Sequence, residues 1–145
     1  MTECAICRVI LEPSLPWKVY ETEHVAAVLE SCPMHKGHTL VFPKKHYNTL
    51  MDMQLDDVAE FFKSVTIIAQ ALRNLPGVEG ITLIQGNGQY GWQNIPHVYV
   101  NVIPRCQDDR IKIEHPSGRI SDEMQEKVWQ SLVKEINQVV ALEAS

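Results

Sequence analysis

The sequence predicts an α+β fold built on a five-stranded antiparallel sheet. Three observations point there. The hydrophobic period switches between two and 3.6 along the chain. The strand-like segments come in runs, without the βαβ alternation that a parallel sheet requires. The length of 145 residues suits one domain with a real core, with no repeat or linker-like tract to divide it. The predicted order is β, β, β, α, β, β, α, with residues 1–105 as the core and 106–145 as a C-terminal loop and helix.

Cys4-Ala-Ile-Cys7 stands at the head of the chain. Two thiolates at this spacing bend around one metal ion or form a redox pair. A redox motif would sit between a strand and a helix, and neither precedes residue 4, so half of a zinc site is the better reading. The remaining ligands must come from the six histidines, His24, His35, His38, His46, His97 and His115, and spacing alone does not choose among them.

After a turn at Pro13 and Pro16, residues 17–21 and 24–30 read as two strands of a hairpin around Thr22-Glu23. Residues 31–37 are loop, punctuated by Pro33 and Gly37. The third strand, residues 38–42, is stopped by Pro43. From Leu55 the period becomes helical: Leu55, Val58, Ala59, Phe62, Val65, Ala69 and Leu72 share a stripe, and Asp56, Asp57 and Glu60 lie where the helix dipole favours acids. This helix ends near Asn74, before Pro76-Gly77. Residues 80–85 form the fourth strand and residues 97–103 the fifth, which Pro104 ends. Ser121 caps a second helix with Met124, Val128, Leu132, Ile136 and Val140 on one stripe, suited to packing on the sheet or on a second subunit.

The stretch between the fourth and fifth strands carries the chemistry. A glycine-rich loop, Asn87-Gly88-Gln89-Tyr90-Gly91, leads into an alternating run in which His97, Tyr99 and Asn101 share one face and Val98, Val100 and Val102 the other. A strand facing plain solvent would carry Thr, Lys or Glu there; an imidazole, a phenol and an amide beside a glycine loop read as a site. Net charge is −5 and the cations are scattered apart from Lys44-Lys45, which disfavours a nucleic-acid polymer but not a small phosphorylated ligand. No export signal or membrane-length apolar run is read from the sequence, so a cytoplasmic protein with reduced thiols is expected. Cys32 and Cys106 are expected to be small core or surface thiols.

The segment Gly37-His-Thr-Leu-Val-Phe-Pro-Lys-Lys-His46, then a helix, a strand and Asn87-Gly88 with Gln93, His97, Pro104 and Arg105, resembles the histidine triad (HIT) family, in order from Cys4 to about Arg105. The resemblance implies a five-stranded antiparallel sheet with two helices, usually in a homodimer whose strands continue across the interface. It also implies nucleoside-phosphate binding, and hydrolysis by His-x-His-x-His, whose middle His attacks phosphorus. Here the triad reads His97-Val-Tyr99-Val-Asn101. Tyr99 stands at the nucleophile position, and a phenol is almost wholly protonated at neutral pH. Asn101 replaces the third His and can still donate an amide N–H to an oxygen. Relatives with Cys-x-x-Cys hold Zn²⁺ at positions that correspond to Cys4, Cys7, His46 and His97. Glu30 takes the place of the acid that binds ribose, and Asn87, Gln93 and Asn94 fall on the phosphate side. His38 matches a His that bonds a neighbour behind the site, whereas His24, His35 and His115 read as surface residues. Trp92 replaces a family Gly, and an indole there is expected to narrow the phosphate loop or refill its space.

Three functions follow. The leading one is a zinc-stabilised homodimer that binds a purine nucleotide or nucleoside monophosphate without efficient hydrolysis. The second is a slow or altered nucleotidyl hydrolase or transferase acting on phosphoramidates or dinucleoside polyphosphates. The third is a structural or interaction protein whose pocket is filled by Trp92 and Tyr99.

Overall fold

Alternation along residues 18–43 folds into a three-stranded meander: β1 (Lys18–Glu21), β2 (Val25–Leu29) and β3 (Thr39–Pro43). The computed structural model describes residues 4–12 and 17–145, so the turn expected at Pro13 and Pro16 lies outside the described residues. Two later strands, β4 (Gly80–Ile84) and β5 (Val100–Arg105), complete an antiparallel sheet in the order β1-β2-β3-β5-β4. The sheet thus places β5 beside β3, with Leu40 opposite Asn101, and leaves β4 at an edge.

Side-chain alternation sorts the sheet into two faces. Val25, Ala27, Val41, Val100 and Val102 face a helix, α2 (Leu55–Arg73), whose Phe61, Val65, Ile68 and Leu72 close the main core. Ala26, Phe42 and Tyr99 belong to a second buried cluster with Ile6 and Cys4. That cluster depends on a short helix, α1 (Ala5–Leu11), which the sequence reading did not anticipate. Seven residues are too few for a helix to stand alone or to show a period. Its stability comes from Cys4, whose sulfur accepts the Cys7 N–H as an N-cap, and from Ile6, Val9 and Ile10 packed under the sheet.

β5 also differs from expectation. It starts at Val100, three residues later than predicted, because the Val98 N–H is given to the Tyr47 carbonyl (2.8 Å) before the ladder begins. It runs through Pro104, which pairs with Ile81 of β4. The β3 ladder stops at Val102, so the chain beyond has a strand on one side only, where a residue without an N–H is tolerated.

The chain divides into two units, Met1–Ile111 and Lys112–Ser145. The second holds α3 (Asp122–Glu143), with Ser121 Oγ accepting the Met124 N–H at 3.2 Å as predicted. Its apolar stripe, Met124, Val128, Leu132, Ile136 and Val140, is exposed. Among the described residues no helix is long and apolar enough to cross a membrane.

Candidate functional site

Four side chains from three distant parts of the first unit meet beneath α1. Cys4 caps that helix and Cys7 lies one turn along it, His46 follows β3, and His97 precedes β5. Their ligand atoms all lie within 4.8 Å of one another. A tetrahedral ion with ordinary zinc bond lengths would hold sulfur and nitrogen about 3.6 Å apart. The sulfurs of Cys4 and Cys7 sit 3.5 Å and 3.6 Å from His97 Nδ1, and Cys7 Sγ is 3.2 Å from His46 Nδ1.

The histidine tautomers fit the same purpose. His97 Nε2–H donates to the Pro43 carbonyl at 2.8 Å, which leaves the Nδ1 lone pair aimed at both sulfurs. His46 Nε2–H donates to Asn48 Oδ1 at 3.1 Å, freeing its Nδ1 toward Cys7. Burial holds the fully buried His97 ring below its ordinary pKa, with the neighbouring His46 adding a smaller push in the same direction, so the ring stays neutral and able to ligate. Burial likewise pushes the Cys7 thiol up, with the neighbouring Cys4 sulfur adding to it. The four residues expected to bind metal are therefore brought together, in a donor set that matches zinc.

The other predicted residues fall into smaller hydrogen-bonded groups. Tyr99 is 8% exposed in the second cluster, and its hydroxyl accepts the Asn94 backbone N–H at 3.4 Å. Asn101 Oδ1 accepts from His38 Nε2 at 2.8 Å and its amide donates to the Ile84 carbonyl at 3.3 Å. His38 is oriented by the Met34 N–H on Nδ1 at 3.1 Å, as a residue behind the site should be. Glu30 stands just past β2, where its Oε1 accepts from Ser31 Oγ and the Cys32 N–H.

The glycine loop is held by its own amides. Asn87 Oδ1 accepts the Leu50 N–H at 2.8 Å, and its Nδ2 donates to Gln85 Oε1 at 2.6 Å. Gln93 Oε1 accepts the Gly88 N–H at 2.7 Å while its amide reaches the carbonyls of Asn48 and Ile95. Asn87 and Gln93 thus shape the loop, whereas Asn94 presents an exposed side chain at its end. Trp92 corrects an expectation: it is 69% exposed and does not refill the loop. Its backbone is left-handed, with φ 68° and ψ 27°.

Two groupings were not legible from sequence. Asn48 and the Pro43 carbonyl orient the metal-facing rings; an Asn two residues after His46 was the available signal for the first. His35, expected to be a partnerless surface residue, meets Cys106 at 3.7 Å, a contact across 71 positions that no local pattern announces. His24 and His115 are exposed, as expected.

The sequence pattern that defines the HIT domain matches residues 16–108. An uncharacterized HIT-like protein of Methanocaldococcus jannaschii is 40% identical over 73% of the chain and 81% of its own length. The adenosine 5'-monophosphoramidase hnt1 of Schizosaccharomyces pombe is 28% identical over 83% of the chain and 88% of its own. Among solved structures, SMU.412c from Streptococcus mutans superimposes with a TM-score of 0.85 at 30% identity, covering 94% of this chain and 87% of that one.

Proposed function

The chain belongs to the HIT family, and from that membership we propose that it binds a purine nucleoside monophosphate, carries a structural zinc ion, and lacks efficient nucleotidyl hydrolysis. One observation carries the reading. The Tyr99 hydroxyl, at the nucleophile position, sits in an apolar cluster where its hydrogen-bond partner is a donor, the Asn94 N–H. Among the described residues no imidazole or carboxylate hydrogen-bonds it, so no base is placed to take its proton. A phenol so placed can line a phosphate site without attacking phosphorus.

In this reading Glu30 receives the ribose hydroxyls and the Asn94 end of the glycine loop receives phosphate oxygens, with Asn87 and Gln93 keeping the loop open. Asn101, steadied by His38, fills the third triad place as a donor. Cys4, Cys7, His46 and His97 would hold zinc in a closed, structural coordination that supplies cross-linking and no reaction chemistry. It would fasten α1 to the segment that carries Tyr99. A homodimer is supported by the edge position of β4 and its half-exposed Leu83, which leave a strand to be extended by a second copy. A reducing, cytoplasmic setting suits a site built on free thiols.

Calorimetry with AMP and GMP, paired with an assay for AMP release from adenosine phosphoramidate, tests the proposal. Binding is expected for at least one nucleotide and is expected to weaken about tenfold in Glu30→Ala. AMP release is expected to stay near background in the wild type and in Tyr99→Phe, and to rise in Tyr99→His. Rapid multiple turnover that Tyr99→Phe abolishes would overturn the claim and leave the hydrolase reading, which the similarity to a phosphoramidase favours.

A further inference from the structure

Cys106 is the first residue after β5, and the loop between β2 and β3 brings His35 against it. His35 Nδ1–H donates to the Lys36 carbonyl at 3.1 Å, so the opposite nitrogen, Nε2, carries a lone pair. That lone pair faces Cys106 Sγ at 3.7 Å. A nucleophile, a base beside it and a backbone group fixing the base's tautomer are thus together, the set of parts that activates a thiol. Both side chains are partly exposed, and neither belongs to the metal cluster or to the Tyr99 array.

Two charged residues stand beside Cys106. The Arg105 guanidinium adjoins it; Arg105 is held protonated first by its bond to Asp109, with the Cys106 sulfur a smaller contributor. Asp109 is the opposing charge, but its two oxygens are taken by Arg105 and by the backbone N–H groups of Cys106 and Ile111. Cys32 offers the contrast within one molecule: exposed, with its N–H on the Glu30 carboxylate and no imidazole bonded to its sulfur among the described residues.

We propose that Cys106 and His35 form a reactive thiol pair that takes a small-molecule disulfide, making Cys106 a site of reversible S-thiolation. His35 Nε2 accepts the thiol proton, and the Cys106 sulfur attacks one sulfur of the disulfide. The old S–S bond breaks as a mixed disulfide forms, and the departing thiolate takes the proton from His35. Thiol plus disulfide gives mixed disulfide plus thiol, with no other oxidant.

The zinc-loaded protein is incubated with glutathione disulfide at neutral pH, and adducts at Cys106 and Cys32 are timed by peptide mass mapping. An unassisted thiol is only a few per cent ionised there, so Cys106 is expected to react about tenfold faster than Cys32. His35→Gln is expected to bring Cys106 down to the Cys32 rate and leave Cys32 unchanged. An unchanged Cys32 rate and unmodified Cys4 and Cys7 also report that the variant is folded. If Cys106 reacts no faster than Cys32, or keeps its rate in His35→Gln, the pair is a passive contact and the proposal is wrong.

Discussion

His38 donates its Nε2–H to Asn101 Oδ1 at 2.8 Å, joining the loop before β3 to the start of β5. The Met34 N–H on Nδ1 fixes which nitrogen carries the proton. With His38 4% exposed, water cannot replace these bonds. His38→Ala is expected to cost about 1–3 kcal/mol in urea unfolding. Asn101→Ala added to it should cost much less than it does alone, because the pair acts as a unit. Strict additivity would show that the two residues are independent.

The loop after β4 depends on one glycine and holds a tryptophan in a left-handed conformation. A Cβ on Gly86 would lie 2.2 Å from the Gly91 carbonyl oxygen, too close for any side chain. Gly86→Ala is expected to destabilise by about 2–3 kcal/mol, the scale of forced overpacking. Trp92, exposed and left-handed, has the opposite problem. Trp92→Gly is expected to stabilise by about 1 kcal/mol as the backbone strain is relieved. Thermal melts of the two variants should move in opposite directions.

Metal removal should act on α1 before the sheet. Chelation leaves its seven residues held by Ile6, Val9 and Ile10 alone. Trypsin is expected to cut after the exposed Arg8 at least about tenfold faster in the chelated protein, as local unfolding becomes accessible. Elemental analysis should find close to one zinc per chain beforehand. Equal cleavage rates with and without chelator would remove the proposed clamp.

Acid should weaken the segment after β5 through Asp109. Its carboxyl is held well below the ordinary value of 3.8, first by the Arg105 guanidinium and then by the Ile111 and Cys106 N–H groups. The unfolded chain therefore binds a proton at a pH where the folded chain does not. The stabilisation is full above 3.8 and is lost as pH falls below it. Asp109→Asn should melt lower than wild type at neutral pH, and the gap should close in acid. A gap that persists unchanged at low pH would assign the loss to packing.

Much of this molecule was legible because alternation and helical stripes are written locally. The valines at 98, 100 and 102 do face α2, and Tyr99 does face away from them. The metal-facing set emerged only when Cys-x-x-Cys was combined with the family resemblance, since spacing between residues 7, 46 and 97 says nothing by itself. α1 was missed because a helix stabilised by tertiary contacts leaves no period to read. Trp92 misled because side-chain size was visible and its exposure was not. The Cys106–His35 contact is set by where a loop and a strand end happen to meet.

The Cys4–His97 contact spans 93 positions, so the cluster cannot be assembled while only the first half of the chain has left the ribosome. The head of the protein must wait, its paired thiols unprotected, until the fifth strand is synthesised and laid beside the third. All four side chains are therefore available to one ion only late in synthesis, and an interrupted product ending before His97 would carry the two thiols without the ring that meets both of them.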